Sequence, residues 1–113
     1  MRCVSISALA FSCLLLPGAA AAEPSAANGR ALFVKVGCYG CHGYQGQGGA
    51  AGPRIAPDPL PFDGLAAFVR TTSGEMPPYT AKVLADGDLA DIYAYLQSIP
   101  RPPALADIPL LKR

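Results

Sequence analysis

Cys38-Tyr39-Gly40-Cys41-His42 is the stretch that decides this chain. It reads C-x-x-C-H, the spacing at which two thiols can each add to a vinyl group of haem while the next residue is held under the iron. His42 is the only histidine of the 113 residues, so no other imidazole competes for that place. Two other chemistries share the cysteine spacing. A zinc site wants about four nitrogen or sulfur ligands, and beyond its first residues the chain offers only these three. A thioredoxin-like thiol pair would sit beside a βαβ pattern, and none is visible.

The N-terminus says where such chemistry would take place. Met1-Arg2 is a minimal positive start, Cys3 to Leu16 is apolar apart from serines, and Pro17-Gly18 breaks the run. Ala20-Ala21-Ala22 offers an A-x-A cleavage site. That is the layout of a secretory signal peptide, and the run is too short to span a bilayer. Cys3 and Cys13 would leave with it, and Ala10-Phe11-Ser12 before Cys13 makes a poor lipidation site. The expected organisation is a cleaved signal over residues 1–22 and one periplasmic mono-haem domain over 23–113, with a proline-rich tail from about 101. No transmembrane span is expected after cleavage.

A domain of this size has a marginal core unless a staple or cofactor adds to it. Haem fixed by two thioethers would supply much of that core. A disulfide between the remaining cysteines is the alternative for an exported chain, but a C-x-x-C loop is a short and strained staple. Nine Lys+Arg stand against eight Asp+Glu, a net +1. Loss of Arg2 with the signal brings the charge near zero, so neither nucleic acid nor an anionic membrane is indicated as a partner.

The remaining pattern is helical. Asn28 is placed to cap a first helix from Gly29 to about Val36, with Leu32, Phe33 and Val36 on one face. Gly37 sits where a helix C-terminus wants glycine. Glycines from Gly40 to Gly52 make a flexible, irregular stretch, and Pro53, Pro57, Pro59 and Pro61 extend it. A middle helix is predicted from Asp63 to about Arg70, with Leu65, Phe68 and Val69 inward. The last helix is capped by Asp86 or Asp88, carries an apolar stripe of Leu89, Ile92, Tyr93, Leu96 and Ile99, and stops at Pro100. No strand signal appears. The fold class is all-α, about three to four helices around a covalent haem, with long irregular loops.

An iron held by one histidine needs a sixth ligand, a water or an open site. Met76, in the loop between the last two helices, could supply a thioether or could simply fill a gap in the core. From Asn28 to Ile99 the chain resembles the class I cytochrome c family of small bacterial electron carriers. The resemblance rests on Gly29-Arg30-Ala31-Leu32-Phe33, Cys38 to Gly43, Gly52-Pro53, Met76-Pro77-Pro78-Tyr79 and Ala94-Tyr95-Leu96.

It implies one haem c bound through Cys38 and Cys41, with His42 and Met76 as the metal ligands. It also implies that the Pro53 carbonyl accepts from the free ring N–H of His42. Gly29, Phe33 and Tyr95 would mediate the packing of the first helix on the last. The family's lysine-rich members dock through a cationic ring, whereas this chain has only Lys35, Lys82 and Lys112. Steering toward a strongly acidic partner is therefore not indicated.

The expected function is single-electron transfer rather than enzymatic turnover. The chain would act as a carrier or as the small cytochrome subunit of a dehydrogenase or respiratory complex. Its redox partners would be proteins such as a periplasmic dehydrogenase, a terminal oxidase or another cytochrome. Tyr39, Tyr44 and Tyr79 are candidates for the rim of the exposed haem edge. The competing readings are a ligand-binding or peroxidatic haem protein, with Met76 off the iron, and a thiol–disulfide enzyme using Cys38 and Cys41.

Overall fold

Four helical segments and the loops between them form a pocketed, all-helical domain. The computed structural model describes residues 22–111. The expected signal peptide therefore lies, but for its last residue, outside the described residues.

Helix α1 runs Ala26–Lys35 and begins earlier than predicted. Its cap is Ser25, whose side chain accepts from the Asn28 backbone N–H. Asn28 lies within the first turn, and its amide instead reaches Asp91 on the last helix at 2.6 Å. A serine three residues upstream satisfies an orphan N–H of the first turn, which frees Asn28 for a tertiary contact. The helix ends at Val36, and Gly37 follows at φ +89°, in the left-handed region that favours glycine. The chain then turns at once into α2, the single turn Tyr39–His42.

The glycine-rich loop is irregular, as expected, but it is tied down rather than free. The Gly48 N–H donates to the His42 carbonyl at 2.8 Å, and the Ile55 and Ala56 N–H groups both donate to the Gly46 carbonyl. Helix α3 spans Phe62–Thr71, one residue longer at each end than predicted. Leu65 and Val69 are half-buried, but Phe68 is 54% exposed and does not join the protein's own core.

Helix α4 covers Asp86–Ser98. Neither aspartate caps it: Ala85 is the cap residue, and Asp86 and Asp88 occupy the first turn, where negative charge suits the helix dipole. Two 3₁₀ turns, Leu105–Asp107 and Pro109–Leu111, form the tail. No strand occurs among the described residues.

Helices α1 and α4 pack directly on each other through Gly29. A Cβ there would overlap the backbone carbonyl of Asp91, so only glycine permits this approach. Phe33 meets Tyr95 edge-on at 5.7 Å between ring centroids, a preferred aromatic geometry. With Ala56, Leu84, Leu89, Ile92 and Leu96 they form the buried core. Tyr93, assigned to the stripe from its spacing, is half-buried and packs on Phe62 of α3 instead. Phe33, Leu84, Leu89, Ile92 and Leu96 of this small core also form the wall of a cavity.

Candidate haem site

The site begins with the turn that carries the cysteines. Gly37 reverses the chain after α1, so α2 brings Cys38, Cys41 and His42 to one short segment. His42 is the only buried polar residue of the described chain, 8% exposed. Its Nδ1 lies 2.8 Å from the Pro53 carbonyl oxygen. A carbonyl only accepts, so Nδ1 carries the proton and Nε2 keeps its lone pair for a metal. The bond predicted from Gly52-Pro53 is present in the geometry.

Two adjoining cavities, of about 370 and 360 Å³, share Cys38, His42, Pro53, Phe68, Met76 and Tyr79 as lining. The first is walled by core residues including Phe33, Leu84 and Leu96. The second opens beside Cys41, Gly52 and Pro77. Together they place both thiols, the imidazole and the thioether around one apolar space. Haem is a flat, mostly apolar body whose iron takes nitrogen and sulfur ligands. The walls and the donor set fit it. Phe68, exposed in the chain alone, is where such a body would lie.

Thiol chemistry fits less well. Burial, reinforced by the nearby Cys41, pushes the Cys38 thiol up to about 11 against the pull of a backbone hydrogen bond. A redox-active cysteine needs its thiolate stabilised instead. The described residues contain no cluster of three or more His, Cys, Asp or Glu that could hold a metal ion.

Residues 24–96 match the family described as cytochrome c oxidase, cbb3-type, subunit III. The chain belongs to this cytochrome c family. No curated protein and no solved structure matched the chain. Family membership gives the cytochrome a covalently bound haem c and the work of an electron-transfer protein. It accords with the small all-helical fold. No helix among the described residues is long and apolar enough to cross a membrane.

The loop that carries Met76 is held by residues whose part was not foreseen. Arg70, in the last turn of α3, donates through Nη1 to the Tyr79 carbonyl and through Nη2 to Asp86, each at 2.7 Å. Thr72 Oγ1 donates to the Met76 carbonyl at 3.4 Å. A basic residue ending the helix before the methionine loop was the only signal in the sequence. Of the three tyrosines expected at the rim, Tyr79 lines both cavities. Burial raises its phenol above the ordinary value, with smaller contributions from Cys38 and Cys41. Tyr39 and Tyr44 line neither cavity and stack on each other at 4.8 Å.

Proposed function

We infer that this cytochrome passes single electrons in the periplasm, with Cys38 and Cys41 as the residues that would hold the haem and His42 and Met76 as those that would ligate its iron. The observation that carries this reading is the convergence of His42, Met76 and Cys38 on both cavities, with the imidazole already oriented by Pro53. Bound there, the haem supplies an iron that alternates between ferrous and ferric states. The chain's own residues orient the imidazole, keep the thioether in reach and exclude water with apolar walls.

Residues 1–22 act as a cleaved export signal in this reading, and 23–113 are the mature cytochrome. It serves as a carrier or as the small cytochrome subunit of a larger redox complex. The family's description favours a respiratory oxidase as the partner.

The test is the visible spectrum of the chain expressed with a c-type haem maturation system. Haem that stays attached on a denaturing gel, with a low-spin spectrum and the weak sulfur-to-iron band, supports the reading. A high-spin spectrum would favour ligand binding at an open iron position, and absence of covalent haem would return Cys38 and Cys41 to thiol chemistry.

A further inference from the structure

Tyr79 stands three residues after Met76 and is fixed at three points. Its backbone N–H donates to the Val69 carbonyl at 2.9 Å, and its carbonyl accepts from Arg70 at 2.7 Å. Its hydroxyl donates to the Val36 carbonyl at 3.0 Å, 43 residues away. Val36 closes α1 immediately before the Gly37-Cys38 turn. One tyrosine therefore joins α3, the methionine loop and the segment that delivers the cysteines.

Arg70 is the centre of this arrangement. Its side chain is 20% exposed, and its planar fork spans two acceptors that a lysine could not reach in the same geometry. The bond to the Tyr79 carbonyl is the partly buried one, and a charged donor makes it stronger than a neutral pair. Asp86 is 87% exposed, so that ion pair is screened by solvent and adds little.

The loop needs such a clamp. Between Thr72 and Tyr79 it contains Gly74, Pro77 and Pro78 and no regular structure. Only the Thr72 hydroxyl ties it near Met76 itself. Without the anchor at Tyr79, little would define the position of the thioether.

We propose that Arg70 and Tyr79 are positioning residues that keep Met76 on the haem iron and shut out external ligands. This rests on the His42/Met76 reading above. Neither residue is assigned to the iron. Releasing the clamp shifts an existing equilibrium between Met76 bound and Met76 displaced.

The experiment titrates the ferric holoproteins with imidazole, which displaces a weakly held thioether, and follows the sulfur-to-iron band. Arg70→Gln should bind imidazole roughly ten- to a hundredfold more tightly than the parent, the size expected for a lost charged hydrogen bond. Arg70→Lys should fall between, and Tyr79→Phe should show a smaller gain. Tyr95→Phe is the control. It loses a hydroxyl bond of 2.6 Å to the Tyr44 carbonyl, neither tyrosine lines the cavities that Met76 lines, and it should bind imidazole like the parent.

Equal affinity in Arg70→Gln, Tyr79→Phe and the parent would overturn the proposal, as would an equal gain in Tyr95→Phe. If Arg70→Gln fails to accumulate, Tyr79→Phe and Arg70→Lys decide by the same criterion. Absence of the sulfur-to-iron band in the parent would instead overturn the ligation reading, so the two failures are separable.

Discussion

His42 and Pro53, eleven residues apart, are joined by a 2.8 Å hydrogen bond from ring nitrogen to backbone carbonyl. Because the acceptor is backbone, side-chain substitution cannot delete it and can only move it. Gly52 is the position that would move it. A Cβ there would lie 2.9 Å from the Cys41 carbonyl oxygen and 3.1 Å from the Cys41 Cβ. Gly52→Ala should therefore push Pro53 away from the imidazole. A ligand histidine that loses its acceptor becomes a poorer electron donor, so the reduction potential should rise. Stability should fall by about 0.5–1.5 kcal/mol, the net worth of one hydrogen bond. Redox titration and denaturant unfolding of the holoprotein check both; an unchanged potential would mean that the loop yields without disturbing His42.

In the ligation proposed above, Met76 is the second ligand beside His42. Met76→Ala should keep covalent haem, since both thioethers remain. It should lose the sulfur-to-iron band, and its potential should drop by a sizeable share of the roughly 0.8 V that axial ligands control. A band that survives the substitution would show that the thioether is not on the iron.

The parts of the site legible in the sequence were those set by local chemistry. C-x-x-C-H is a near-neighbour pattern, and α4 announces itself by helical periodicity, whereas the expected roles of Pro53 and Met76 rest on the family resemblance. The helix caps differ from expectation, Ser25 and Ala85 standing in place of Asn28 and the aspartates, for a physical reason. Asn28, Asp86 and Asp88 are all good capping residues, but Asn28 is engaged by Asp91 and Asp86 by Arg70. Such pairs join residues far apart in the chain, and no local signal reports them. Phe68 shows the converse: its spacing marks it as inward, yet inward at that point is the cavity and not the protein's own core.

Close approach of α1 and α4 at Gly29 should make that position intolerant. Ala is normally better than Gly inside a helix by roughly 0.5–1 kcal/mol. At Gly29 the added Cβ would overlap the Asp91 carbonyl, and overpacking of this kind costs about 1–3 kcal/mol or more. Gly64 in α3 has open space around a new Cβ. Gly29→Ala should destabilise the holoprotein to denaturant, while Gly64→Ala should stabilise it. Opposite signs from the same chemical change would tie the cost to the helix crossing; equal signs would refute it.

Asp91 gives the crossing a pH dependence. Its carboxylate accepts from the Asn28 amide and the Ser25 backbone N–H, both at 2.6 Å. Those bonds, Asn28 first, hold its carboxyl below the ordinary value. A carboxyl depressed in the folded state adds stability above its unfolded value, about 3.9. That stability is lost as pH falls through the lower folded value. Asp91→Ala should therefore be less stable than the parent at neutral pH, with the difference shrinking below about pH 4. Unfolding both proteins by denaturant across that range checks it, and a gap that stays constant with pH would assign the loss to packing instead.

The tail should be separable from the fold. Arg101 pairs with Asp58 at 2.8 Å, but Leu105 and Leu110 beyond it are 74% and 88% exposed. Side chains that remain exposed contribute little burial energy to the domain. Truncation after Pro102 keeps the Arg101 contact and should leave haem attachment, the spectrum and the unfolding midpoint close to those of the full chain. Exposed leucines on a proline-rich strap do suit contact with another protein. If the tail docks the cytochrome on its redox partner, electron exchange with respiratory membranes of the native host should slow on truncation. The loss should depend little on salt, because the contact is apolar rather than charged. An unchanged exchange rate would remove the tail from docking, and a lowered unfolding midpoint would show that it belongs to the fold.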